Sequence, residues 1–213
     1  MDSVVLMGAE YGLQLNWSKV EALPCRMKVN FESPTGESIH SKSSIVYLGS
    51  LLSSDGEIMT AIKRRLGIAR KDFEVLQSIW RHTSLTKAWK LRIFEACIIS
   101  KLVYGLVTAV LNQNERRRLD GFQARCIRRI LKVPAAYYSR ISNVRVLKMV
   151  ARRPLSEQIM KQQMILMGKI AFRRDSDVVR QSIFIPSTIK LRLLPGPAKR
   201  GRPRIRWPVQ VLN

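Results

Sequence analysis

Tyr47-Leu48-Gly49-Ser50-Leu51-Leu52-Ser53-Ser54-Asp55-Gly56 is the stretch across which this chain changes its character. On its N-terminal side apolar residues alternate with polar ones in short runs. Met27, Val29 and Phe31 alternate with Lys28 and Asn30, Ser33-Pro34-Thr35-Gly36 supplies turn chemistry, Glu37 to His40 can return as a second strand, and Ile45 to Leu48 can add a third. A small antiparallel sheet is expected there. Farther upstream, Val4, Val5, Leu6, Met7, Tyr11, Leu13 and Leu15 read as the end of a helix, with Gly12 as its stop.

On the C-terminal side the period becomes helical. Ile58, Ile62, Leu66, Ala69, Phe73, Leu76 and Trp80 recur at spacings of three and four, laying one apolar stripe along a helix of about six turns. Asp55 or Ser54 is its expected N-cap. A second helix is expected after Ser84, carrying Leu91, Phe94, Ile98, Leu102 and Leu106. A third runs from Glu115 to Leu131, with Leu119, Phe122, Cys126, Ile127 and Ile130 inward and its arginines outward, ended by Pro134. Further helices are expected at 142–151 and 155–172. After Ile185 the prolines and glycines multiply, and an extended or disordered tail is expected. The fold class is therefore α+β and predominantly α-helical: a small N-terminal antiparallel β element in 1–56, a helical bundle in 57–185, and an irregular basic tail in 186–213.

Charge divides the chain at the same place. Residues 1–56 hold four Lys/Arg against six Asp/Glu, which leaves 34 of the 38 basic and only 9 of the 15 acidic residues to the remainder. A basic excess confined to one part points to a polyanion, nucleic acid before membrane or an acidic protein. The longest apolar run, Leu102 to Leu111, is too short to span a bilayer and is expected as a buried core helix, so no membrane partner is assigned. Met1-Asp2-Ser3 is acidic where a secretory signal is positive. Cys25, Cys97 and Cys126 are odd in number and far apart, which suits buried reduced thiols and an intracellular compartment. His40 and His82 are too isolated to complete a metal cluster with them, and neither a Cys-x-x-Cys spacing nor a phosphate-cradling glycine loop occurs. Asp175 and Asp177, beside Arg173 and Arg174, read as a helix cap or local ion pair rather than as metal ligands.

Three separated signatures stand in order along the chain. Tyr11-Gly12-Leu13-Gln14-Leu15-Asn16-Trp17-Ser18-Lys19-Val20-Glu21 resembles the GLxxNxxKT segment that closes the palm of reverse transcriptases of non-LTR retrotransposons. Tyr47-Leu48-Gly49-Ser50 followed by Asp55-Gly56 resembles the primer-grip hairpin after it. Leu102-Val103-Tyr104-Gly105, the stretch Phe122 to Leu131, and Arg200-Gly201-Arg202-Pro203-Arg204-Ile205-Arg206-Trp207 look like the thumb and the region beyond it. The resemblance implies the C-terminal part of such an RNA-directed DNA polymerase: the end of the palm, a thumb-like helical domain and a basic tail. Tyr47, Leu48 and Gly49 would position a primer end, and the missing palm and fingers would be partners.

Two departures accompany the match. Position 20 is Val where the family has Thr, and no two aspartates are adjacent anywhere in the sequence. The full-length family enzyme implies Mg2+ held by an Asp-Asp hairpin, because two-metal phosphoryl transfer needs carboxylates at a fixed short separation. Catalytic and metal-binding residues and a resident cofactor are therefore not expected in this chain, which should hold RNA/DNA duplex without polymerising by itself. Lys19, Lys63, Arg64, Arg65, Arg116, Arg117, Arg118, Arg128 and Arg129 are the expected nucleic-acid contacts, through backbone phosphates rather than base edges. The tail offers an alternative. Arg200-Gly201-Arg202-Pro203, with Arg204, resembles an AT-hook, whose extended arginine pair enters a narrow A·T minor groove, and would make the protein a non-enzymatic DNA-binding or chromatin module. The same cluster also reads as a nuclear localisation signal, so a nuclear location is expected.

Overall fold

Apolar periodicity and local capping together account for most element boundaries in the computed structural model, which describes residues 2–25, 29–33, 36, 38–82, 84–192 and 206–212. The chain separates into two compact units, Met1–Ala61 and Ile62–Asn213. The fold is α+β and mainly helical, with antiparallel strand pairs near the N-terminus followed by helices.

In the first unit, α1 (Asp2–Glu10) ends where the glycine demands it. Gly12 adopts φ +69, Leu13 N donates to Gly8 O at 2.9 Å and Gly12 N to Ala9 O at 3.0 Å, the paired bonds of a left-handed helix stop. A 3-10 turn, Trp17–Lys19, follows. The strands form two separate pairs instead of one three-stranded sheet: β1 (Phe31–Glu32) with β2 (Ser38–Ile39), and β3 (Ser44–Tyr47) with β4 (Ser50–Ser53). The expected third strand pairs with the segment immediately after it, because Leu48 (φ +47) and Gly49 (φ +77) make a two-residue turn with both central residues left-handed. Met27 and Lys28 lie outside the described residues. Asp55 does not cap the next helix, which starts four residues later; its Oδ1 accepts from Glu57 N at 2.7 Å and closes a turn.

The second unit is built around α6. The apolar stripe of α2 (Met59–Val75) is buried at Ile62, Leu66, Ala69 and Phe73. The expected single helix breaks at Leu76 into α3 (Gln77–Arg81), where Trp80 turns back so that its indole N–H donates to Phe73 O at 2.7 Å and its ring stacks on Phe73 with centroids 5.0 Å apart. Phe94 meets Phe73 edge-on at 5.9 Å, and aromatic pairs of this kind each contribute about 0.5–1.5 kcal/mol beyond burial. Buried Lys90 donates to the carbonyls of Trp80 and His82, placing its ammonium at the negative end of α3.

Thr86 caps α4 (Lys87–Phe94), which continues through a π-turn, Glu95–Ile99, into α5 (Ser100–Val103). The expected core helix over 102–111 stops at Val103, since Gly105 takes φ +73; Leu106, Ala109 and Leu111 are buried from irregular backbone instead. Asn112 and Glu115 form a reciprocal capping box that starts α6 (Gln113–Leu131). Its stop is Lys132 at φ +59, with Val133 N bonded to Arg128 O at 2.9 Å, two residues ahead of Pro134.

Around α6 pack α3, α4, α8 (Asn143–Met149) and α9 (Leu155–Ala171), with α7 (Ala136–Ser139) in the connection to α8. Asp120 of α6 accepts from Ser156 N at 2.8 Å and from Ser156 Oγ at 2.7 Å, so one carboxylate satisfies the first turn of α9. Asp177 caps α10 (Val178–Ile183), while Asp175 receives Arg180 Nε at 2.8 Å, the cap and ion pair read from the sequence.

Part of the tail departs from the expected irregular state. Trp207–Leu212 forms α11 against α9, with Trp207 Nε1 donating to Val107 O at 2.9 Å and Gln210 bonded to both N and O of Leu111. Val211 joins Met167, Ile170 and Phe184 in a buried cluster. Ile205 and the Arg200 to Arg204 motif lie outside the described residues. Cys126 is buried, and burial pushes its thiol up to about 12; Cys97, expected buried, is exposed, as is Cys25. Among the described residues no helix is long and apolar enough to cross a membrane.

Candidate nucleic-acid interface

A groove of about 670 Å³ runs between α2 and α6. Lys63, Leu66 and Arg70 line one wall, and Asn114, Arg117, Arg118, Gly121 and Arg125 the other. On both helices these positions recur at three, four and seven residues, so each wall is a single helical face. The groove floor is open at Gly121, where a Cβ built on the backbone meets nothing within 4 Å. Five of the eight lining residues are cationic and none is acidic. Four of the described carboxylates of the second unit pair with cations outside the groove: Asp72 with Lys101, Glu95 with Arg152, Asp175 with Arg180 and Asp177 with Arg173. The groove cations are exposed to solvent, where clustering raises the local positive potential and favours an anionic ligand.

Burial sorts the expected contact residues into different kinds. Lys63, Arg117 and Arg118 lie in the groove, and Arg64 is exposed outside it. Arg116 is half-buried and donates from Nε to Leu111 O at 3.2 Å. Arg129 is exposed with its guanidinium 5.2 Å from the Phe73 ring centre, tying α6 to α2.

Two of the expected contacts are corrected outright. Arg65 is 8% exposed, donates to Lys101 O at 3.1 Å and lies 5.5 Å from the Tyr104 ring centre; burial first, then Arg64, draws its pKa below the ordinary guanidinium value. Arg128 is 4% exposed and spends its donors on Pro134 O, Ser139 Oγ, Ile141 O and Asn143 Oδ1. Both side chains are turned inward and bonded within the fold.

Arg70, Arg125 and Asn114 complete the groove and were not among the expected contacts. The signal was present in the sequence, since Arg125 stands seven residues after Arg118 and Arg70 seven after Lys63, two helical turns along the same faces. In the first unit, Lys19 is exposed on the 3-10 turn. Tyr47 and Leu48 are 61% and 72% exposed at the tip of the β3–β4 hairpin, with Gly49 completing the turn. Arg200, Arg202 and Arg204 lie outside the described residues.

The Mg2+ implied by the family resemblance finds no fitting donors: among the described residues no three His, Cys, Asp or Glu side chains converge. Compared with protein-family models, with curated proteins and with solved structures, the chain matches none.

Proposed function

We propose that this chain is the nucleic-acid-holding C-terminal part of a retrotransposon-type reverse transcriptase, gripping RNA·DNA duplex by its phosphates without performing chemistry itself. The observation that carries the reading is the α2–α6 groove, where Lys63, Arg70, Arg117, Arg118 and Arg125 converge with no acidic residue among them. Phosphate oxygens supply the missing negative charge, and the amide of Asn114 adds a neutral donor for a phosphate or sugar oxygen. Such contacts carry no sequence information, in keeping with a protein that must hold whatever duplex is being made. In this reading the exposed β3–β4 tip at Tyr47 to Gly49 would face a primer terminus, and the exposed apolar residues of α1, Val4, Leu6 and Met7, would be covered by the rest of a palm.

The test is duplex binding by the full chain as salt is varied. An affinity that falls by roughly the fourth to fifth power of salt concentration is expected, one counterion for each groove cation. Replacing Arg117, Arg118 and Arg125 together by Gln should reduce that slope by about three. A slope unchanged by the triple variant would remove the groove from the interface, and an affinity indifferent to salt would remove phosphate contact altogether. Primed-template extension with magnesium is expected to give no product, because no adjacent carboxylate pair exists in the sequence.

A further inference from the structure

The connection between α6 and α8 has an unusual construction for a surface loop. Arg128, buried in α6, donates from Nη1 to Pro134 O at 2.9 Å and to Ser139 Oγ at 3.3 Å, and from Nη2 to Ile141 O and to Asn143 Oδ1 at 3.2 Å. One guanidinium therefore holds the start, middle and end of the loop. Ser139 Oγ adds bonds to Ala135 O at 3.1 Å and from Ile141 N at 3.3 Å, and Ser142 then caps α8. The loop uses this bracing to carry two tyrosines outward. Tyr137 and Tyr138 are 74% and 79% exposed, with ring centres 5.3 Å apart and planes at 84°. The Arg140 guanidinium lies 5.5 Å from the Tyr137 ring centre.

Two exposed aromatic rings on a pre-ordered backbone serve no core, since neither ring is buried. The charge around them says what they suit. From Gly121 to Ser156 the sequence holds nine Lys/Arg and no Asp or Glu, and Arg129, Lys132, Arg140, Arg145 and Lys148 of this segment are exposed. An apolar protein partner gains nothing from such a surround, whereas a single-stranded nucleic acid needs both parts: cations for its backbone and flat faces for its unpaired bases. The bracing by Arg128 means that little loop entropy is lost on binding.

We propose that Tyr137 and Tyr138, with Arg140, form a stacking platform for unpaired bases of single-stranded RNA or DNA, separate from the duplex groove. The platform rests on the nucleic-acid reading above and extends it from duplex to single strand. Its selectivity is for the presence of a base rather than for its identity, because every base has a π-face.

The test uses the full chain and three fluorescently labelled probes: a twelve-nucleotide oligothymidylate, an abasic oligomer of the same length and charge, and a blunt RNA·DNA duplex. The wild-type protein should bind the oligothymidylate about tenfold or more tightly than the abasic oligomer, the preference that stacking of one or two bases supplies. Y137A/Y138A should lose that preference while its duplex affinity and circular dichroism stay unchanged, and Y137F/Y138F should keep it. Equal wild-type affinity for the two single strands, or a preference that survives Y137A/Y138A, overturns the platform and leaves the groove standing. Equal losses on all three probes overturn it too, since they mark a general defect. Failure of the wild-type protein to bind any probe overturns the groove and the platform together.

Discussion

At the scale of single residues, what separates the arginines of this protein is whether a backbone turn closes over them. Arg128 and Arg129 are neighbours on α6, yet one is 4% exposed and bonded to four acceptors while the other sits on the surface over Phe73. Arg128→Ala leaves Pro134 O and Ile141 O without their donor and should destabilise the protein by about 2–3 kcal/mol, read as a lowered midpoint in urea. Arg117→Gln, in open solvent, should stay within about 0.5 kcal/mol of wild type. Comparable midpoints for the two variants would contradict the structural role of Arg128. The carboxylates of the α9–α10 turn make a second residue-scale prediction. Arg180, and after it Ser187, hold Asp175 below the usual carboxylate range, and the backbone N–H of Arg180 chiefly does the same for Asp177. A depressed folded pKa means that the contribution is complete above the unfolded value of about 3.9 and is lost as pH falls through the lower folded value. The amide resonances of Arg180 and Gln181 should therefore hold steady from pH 7 to 5 and move toward random-coil positions below about 4. Movement at higher pH, or none by pH 2, would contradict the pairing.

Among the elements, α6 was the most legible in the sequence and the most consequential in the fold. Its inward set, Leu119, Phe122, Cys126, Ile127 and Ile130, is buried as the period predicts, because the helical repeat alone decides which residues share a face. Its outward set was only half legible. Periodicity separates the two faces of a helix but does not reveal which outward positions a later loop will cover. Gly121 offers an element-scale test: a Cβ there meets no atom within 4 Å, so Gly121→Ala should stabilise α6 by about 0.5–1 kcal/mol. The same change should leave duplex affinity intact, whereas Gly121→Glu, bringing a carboxylate into the groove, should weaken duplex binding and lower its salt slope. Loss of stability in the alanine variant, measured by thermal melting, would show that the groove floor is not open. The break of the expected long helix into α2 and α3 was not legible at all, since Ile58 to Trp80 keeps its spacing throughout. It is Trp80, folding back on Phe73 and its carbonyl, that ends the straight run.

For the molecule as a whole, the two units differ in what holds them together. In the first, Val4, Leu6, Met7, Tyr11, Leu13, Val46, Tyr47 and Leu48 are all more than half exposed, and among the described residues β3 and β4 form a two-stranded pair of their own. A lone two-stranded ribbon is marginal in water. Amides of β3 and β4 should accordingly exchange with deuterium far faster than those of Leu119 to Ile130, which lie in a helix packed on several sides. Equal protection in the two segments would contradict this inequality. The sequence by itself determined the helix periods, the cap at Asp177, the stop at Gly12 and the confinement of positive charge to the helical remainder. These depend on residues a few positions apart, whose geometry is set by the local backbone. Tertiary structure alone decided which cations are free. Arg65 and Arg128 were drawn inside by Lys101, Tyr104 and the 134–143 loop, while Arg70 and Arg125 were brought together across the α2–α6 groove. It also decided that Trp207–Leu212 folds as a helix on α9, through bonds to Val107 and Leu111 about a hundred residues away. Burial and electrostatic neighbourhood arise from contacts between distant segments, and no local pattern of residue types encodes which segments will meet.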